Sequence, residues 1–229
     1  MSQATFRVGY LVFPDITQLD LTGPQQVLAR LPGVEQLLVW KTREPVRSES
    51  GLMLVPDATY GDCPPLDMIC VPGGPGMNAL LTDAETLDFL QRMAPGARYV
   101  TAVCTGSLVL GAAGLLKGRR AATHWAAMEF LPAFGATPVH ERVVIDGNVI
   151  TGGGVTAGID FGLKVAAEVA GETVAKMLQL IIEYDPAPPF DSGHPRSADP
   201  ALLAMLRERM QPMHTQRAAQ VGVAAAKLG

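Results

Sequence analysis

The sequence predicts an α/β protein: a doubly wound, mainly parallel sheet with helices on both faces. Short apolar, β-branched runs alternate along the chain with longer segments of helical spacing. Gly- and Pro-rich breaks follow several of the apolar runs, where such folds turn from strand to helix. With 229 residues, 48% of them apolar and 17% charged, the chain can bury a substantial core, and disorder is not indicated.

Residues 6–13 read as the first strand, ended by Pro14-Asp15. A loop over 16–21 carries Asp20 and leads to Pro24, which suits the first turn of a helix running to about Arg30. Pro32-Gly33 breaks that helix, residues 34–41 form a second strand, and 52–55 a short extended piece. Residues 66–71 form a third core strand, followed at once by Pro72-Gly73-Gly74-Pro75-Gly76. Leu87, Leu90 and Met93 mark a helix over 83–93, ended by Pro95-Gly96. Residues 99–103 are a buried strand, and from Gly106 the small apolar pattern reads as a buried helix closed by Gly114. A short strand and helix follow over 121–131. Two apolar runs around Asp146-Gly147 predict a hairpin over 143–150. Gly152-Gly153-Gly154 then precedes a helix beginning near Thr156 or Ala157. Residues 172–184 form a further helix, 186–200 a loop, and 201–210 and 218–228 two short terminal helices.

The net charge of −4 argues against a nucleic-acid partner, which needs a basic face. Cys63, Cys70 and Cys104 form no CxxC pair and have no His at metal-ligand spacing, so free thiols in a reducing compartment are expected, with no disulfide framework and no metal site. Residues 1–5 lack a charged leader, and no apolar run is long enough to span a membrane. A soluble cytoplasmic protein is the expectation.

In doubly wound sheets chemistry gathers beyond the carboxyl ends of the strands. Three loops expected there carry Asp20, Gly73-Gly74 and Cys104. Cys104 falls where strand becomes helix, with Ala102 and Gly106 at the small positions of a nucleophile elbow. There it would be a nucleophile, its thiolate favoured by the helix dipole; the alternative is an inert buried cysteine. Asp20 is either a helix-capping carboxylate or a general acid/base against the thiol, with its own pKa raised in a dry site. Gly73 and Gly74 are either turn residues or, with Thr105, donors of backbone N–H groups to developing negative charge. Thr105 can hydrogen-bond there or simply begin the helix. His124 is the histidine closest to the elbow in sequence, but beside Trp125 it reads as structural; His140, next to Glu141, is no better placed. Cys63 and Cys70 read as packing residues. The glycine run around Gly153 would let the following helix shift when the charge on Cys104 changes.

Leu19-Asp20-Leu21-Thr22-Gly23-Pro24, Val71-Pro72-Gly73-Gly74, Val103-Cys104-Thr105-Gly106 and Ala122-Thr123-His124-Trp125 together resemble the DJ-1/PfpI superfamily. The resemblance implies a flavodoxin-like, class I glutamine-amidotransferase-like fold in a catalytic domain over residues 1–190. Residues 191–229 would be a tail with short helices, not a separate domain. It also implies a cysteine nucleophile and a homodimer. Asp20, where many members carry Glu, and Thr105, where the peptidase-like branch carries His, resemble the branch that hydrates isocyanides (R–N≡C) to N-substituted formamides. A peptidase is therefore not expected. The implied course is attack by Cys104 to give a bound thioimidate, with Asp20 moving protons. Thr105 and the Gly73-Gly74 N–H groups would hold the sulfur and the intermediate. A small-molecule isocyanide substrate is implied, and no cofactor. Rival readings within the superfamily are a glyoxalase- or deglycase-like enzyme and a redox protein in which Cys104 becomes sulfinic acid. Some regulators share these motifs ahead of an AraC-type DNA-binding domain. The 45 residues after Tyr184 are too few for such a domain and lack clustered Lys and Arg.

Overall fold

The computed structural model describes residues 5–228. The expectation about a leader falls on residues 1–5, of which 1–4 lie outside the described residues. The elements in chain order are β1 (Phe6–Leu11), α1 (Gln18–Leu28), β2 (Val34–Trp40), β3 (Val46–Arg47), β4 (Met53–Leu54), β5 (Ala58–Thr59), β6 (Met68–Val71), α2 (Met77–Leu80), α3 (Ala84–Met93) and β7 (Tyr99–Val103). Then come α4 (Gly106–Ala112), β8 (Arg120–Ala121), a run of 3-10 turns (Trp125–Phe134), β9 (Thr137–Pro138), β10 (Val143–Asp146), β11 (Val149–Gly152), α5 (Ala157–Ala170), α6 (Glu172–Ile181) and α7 (Pro200–Ala226).

Seven strands form one sheet in the order β10-β11-β7-β6-β1-β2-β5. Every neighbouring pair is parallel except the β10–β11 hairpin. β6, β7 and β11 are buried at every residue, as central parallel strands covered on both faces must be, and so they read as unbroken apolar runs. The chain steps from β1 out to β2 and then crosses back to β6 on β1's other side. That reversal opens a crevice beyond the carboxyl ends of β1 and β6. β7, with Cys70 level with Thr101, sets its own carboxyl end beside it. The fold class read from the sequence is the one observed.

Two helix boundaries differ from the sequence reading. α1 begins at Gln18, six residues before Pro24, so Asp20 stands in the first helical turn and not in a loop. Pro24 lies inside the helix and leaves the Asp20 carbonyl without its helical N–H. The ring is retained because it fills the contact with α5, where a Cβ on Gly158 would stand 3.0 Å from its Cδ. At the other end, one helix of 27 residues replaces the two short ones. Asp199 accepts the Ala201 and Leu202 N–H groups at 2.9 and 3.1 Å and starts it, with Pro200 in the first turn. It continues through Pro212 because the carbonyl this residue leaves unpaired, that of Glu208, is on an exposed residue and open to water. Its buried face is Arg217, Val221 and Ala224, at helical spacing, against α2 and α4. The segment expected as a helix over 126–131 is a run of 3-10 turns, ended by Gly135 at φ +71°.

Candidate active site

Cys104 follows the last residue of β7 and has φ +57°, in the left-handed region that a non-glycine residue occupies only when its surroundings hold it there. Its N–H is shared between the carbonyls of Gly152 and Gly153 at 3.1 and 3.0 Å. Its carbonyl accepts the Thr123 hydroxyl at 2.8 Å. Glycine is required at 106, because a Cβ there would lie 1.9 Å from the Val71 carbonyl oxygen. The elbow is thus clamped by β6, by β11 and by the segment before the 3-10 run.

Asp20 is fully buried. One carboxyl oxygen, Oδ2, accepts the Gly73 N–H at 2.9 Å; the other, Oδ1, has no partner among the described residues. Glycine is needed at 73 too: a Cβ would lie 2.5 Å from the Thr105 hydroxyl and 2.9 Å from Asp20 Oδ2. Burial lifts the Asp20 pKa to about 7 against the lowering effect of the Gly73 N–H and of the Cys104 thiol, with a smaller push upward from the Glu49 charge. A carboxyl in a dry site with its pKa raised is what the sequence reading expected of this position.

The thiol behaves otherwise than the dipole argument suggests. Burial first, then the Asp20 charge, push the Cys104 pKa up. The backbone N–H groups of Val155 and Thr105 act against them without winning. Desolvation outweighs the partial charge of a seven-residue helix. Burial thus opposes ionisation of the sulfur, and Asp20 is the neighbour that can take its proton.

Gly73 and Gly74 lie in this site, but their N–H groups do not face the reacting centre. The Gly73 N–H holds Asp20, and the Gly74 N–H donates to the Thr105 hydroxyl at 3.2 Å. Both are used in orienting the two site side chains. Thr105 is buried, and its own N–H faces the sulfur. Gly153 accepts from Cys104 through its carbonyl and donates to the Arg142 carbonyl at 2.9 Å. His124 accepts the Ala126 N–H through Nδ1 at 3.2 Å and caps the 3-10 run. Burial, with the Arg217 charge behind it, lowers its pKa to about 4, so it is neutral and structural. His140 has no hydrogen bond among the described residues. Cys63 lies half-buried and Cys70 within the core.

Three contributors to the sulfur's surroundings escaped the sequence reading. Thr123 fixes the elbow carbonyl, Val155 presents an N–H from a backbone at φ +25°, and Arg217 sits within electrostatic reach of the thiol. Thr123 lay inside a motif already singled out. Val155 and Arg217 carry no local signal, since packing alone brings them in. Among the described residues no group of His, Cys, Asp and Glu side chains is arranged to hold a metal ion.

A cysteine at a strained strand-to-helix turn, facing a buried carboxyl at the switch point of a parallel sheet, defines a class of cysteine-elbow α/β proteins. The chain belongs to the DJ-1/PfpI family, which its residues 6–168 match. It is 56% identical over 222 residues to an isonitrile hydratase of Pseudomonas putida, covering 97% of each chain. A crystal structure of a THiJ/PfpI family protein from Pseudomonas syringae superposes with a TM-score of 0.93 at 43% identity, covering 96% of this chain and 92% of that one. The HTH-type transcriptional regulator GbdR of Pseudomonas aeruginosa is 31% identical over 187 residues, 78% of this chain but 50% of the regulator.

Proposed function

We propose that the protein is an isonitrile hydratase, adding water to R–N≡C and releasing the N-substituted formamide R–NH–CHO. The observation that carries the reading is the Asp20 carboxyl, buried beside Cys104 with one oxygen unpartnered and a pKa near neutrality. The 56% identity to an isonitrile hydratase over nearly the whole chain supports it.

The Asp20 carboxylate takes the Cys104 proton, which makes the nucleophile without placing two charges in one dry pocket. The sulfur bonds to the terminal carbon of the isocyanide, and Asp20 returns the proton to that carbon. The product is a thioimidate, R–N=CH–S, bound to Cys104. Water then adds to the same carbon, one proton passing through Asp20 to the nitrogen. The carbon–sulfur bond breaks, the hydroxyl proton returns to the departing sulfur, and R–NH–CHO leaves. The Thr105 and Val155 N–H groups stabilise the sulfur while it carries charge. Gly73 and Gly74 hold Asp20 and Thr105 in position. None of these steps calls for a cofactor.

A redox role draws little support from a sulfur on a residue only 4% exposed, since oxidation favours accessible thiolates. The protein acts as a homodimer and binds no nucleic acid; Met177, Leu180 and Ile181, exposed together on α6, favour association with a second copy. Its free cysteines suit the cytoplasm. Among the described residues no helix is long and apolar enough to cross a membrane.

The test is incubation with a small isocyanide, with formamide followed by NMR and the enzyme by mass spectrometry. Turnover in the wild type, with neither turnover nor a mass adduct in Cys104→Ala, is the expected outcome. Near wild-type turnover by Cys104→Ala would rule the mechanism out.

A further inference from the structure

Arg217 has no part in the chemistry above, yet it is 4% exposed. It stands on α7, and its Nε donates to Asn78 Oδ1 at 3.0 Å; Asn78 is on α2, just past the Gly73-Gly74 loop. Among the described residues that is its one side-chain hydrogen bond, and it forms no ion pair. A guanidinium taken out of water without an anion costs several kcal/mol, so buried arginines are ordinarily paired. The carboxylate that lines the same cavity, Glu129, is engaged by His214 at 2.9 Å. Arg217 lines a cavity of about 220 Å³, whose apolar wall comes from Trp125, Met210 and Met213. Trp125 directly follows His124, whose ring lies so close to Gly154 that a Cβ there would stand 2.4 Å from it. Trp125 also lines a second cavity, together with His124 and the Gly153–Val155 segment that faces the sulfur, so the two cavities meet at Trp125. The charge reaches the site as well, since Arg217 and a Cys104 thiolate favour one another.

We infer that Arg217 receives a carboxylate carried on the side chain of the isocyanide, so that the substrate class is isocyano acids. This rests on the hydratase reading and names its substrate. The apolar wall takes the carbon linking the two groups, while the planar donor fork left free by Asn78 fits a carboxylate. The anion supplies the partner that the protein withholds.

The test compares isocyanoacetate with its uncharged methyl ester. The wild type is expected to prefer the anion at least about tenfold in kcat/KM, chiefly through KM, as a charged hydrogen bond provides. Arg217→Met should lower that preference by about 10- to 100-fold, and Arg217→Lys should restore part of it. Should Arg217→Met fail to fold, Arg217→Gln, which keeps a donor for Asn78, supplies the same ratio. Equal use of acid and ester by the wild type, or a preference unchanged in the neutral variant, overturns the inference and leaves the hydratase reading standing. If neither compound is hydrated, that reading fails, and binding of the product analogue N-formylglycine decides the carboxylate site. Calorimetry with wild type and Arg217→Met then sustains the site if binding is tighter than for the methyl ester and lost in the variant; equal binding overturns it.

Discussion

Asp20 and Cys104 are both buried, and in the mechanism proposed above the pair works while holding a single proton. Below about pH 7 it takes up a second, so kcat/KM should rise with pH through that value in the wild type. Asp20→Asn keeps the shape but cannot move the proton, and should lose about 10²–10⁴-fold in rate together with that pH limb. Asp20→Glu moves the carboxyl by one methylene and should leave a partial activity. The same residue predicts a stability effect of opposite sense. Its pKa is higher in the fold, about 7, than in the unfolded chain, so the native state binds the proton more tightly. The wild type should therefore lose stability as pH rises from about 4 to 7, and Asp20→Asn should escape the loss, gaining about 2–4 kcal/mol at pH 8. Urea denaturation at pH 5 and pH 8 measures this. A residue that only caps α1 would give an Asn variant both active and insensitive to pH, the outcome that removes Asp20 from the chemistry.

At the scale of elements, α5 links the two site residues. Its first turn follows Val155, which faces the sulfur, while its middle packs on α1 so tightly that a Cβ on Gly162 would stand 3.0 Å from Val27. α1 carries Asp20. We propose that a change of charge on Cys104 is felt where α5 begins, with Gly153 as the pivot. A Cβ at 153 meets nothing closer than 3.6 Å, so Gly153→Thr should fold normally. It should slow the steps after thioimidate formation, read as an intact pre-steady-state burst followed by slower turnover. Unchanged rates in both phases would leave the loop a purely structural role. Gly106→Ala is the contrasting case. Its methyl would meet the Val71 and Pro72 carbonyl oxygens at 1.9 and 2.7 Å, and backbone cannot turn aside as a side chain can. A loss of about 3 kcal/mol or more is expected, with the elbow cysteine displaced.

For the molecule as a whole, the question is whether residues 191–229 fold with the rest. α7 buries Arg217, Val221 and Ala224 against α2 and α4, and the Glu129–His214 pair ties it to the 3-10 run. We propose one cooperative unit. The full chain should unfold in a single calorimetric transition, and a chain ending at residue 190 should melt well below it and lose activity. Two transitions in the full chain would mark a separate C-terminal unit. Sedimentation equilibrium at micromolar concentration should give a dimer, and substituting Leu180 on the exposed α6 face by Glu should shift it toward monomer.

The alternation of buried runs and helical spacings was enough for the fold class, because periodicity is a local property that burial imposes on every strand and helix. The elbow was legible for the same reason: Ala102-Val103-Cys104-Thr105-Gly106 records a steric limit within five residues. The hairpin around Asp146-Gly147 was another such case. Proline was one source of error: Pro24 was read as the start of a helix that passes through it, and Pro212 falls in the gap left between two short helices that are one. The protonation of the site could not be read at all. Whether a helix dipole or desolvation governs Cys104, and whether the Gly73 and Gly74 N–H groups face substrate or hold Asp20 and Thr105, depends on burial and on groups from distant segments. Arg217, 113 residues beyond the cysteine, is the extreme instance: only the packing of α7 across the sheet's neighbours brings its charge to the thiol.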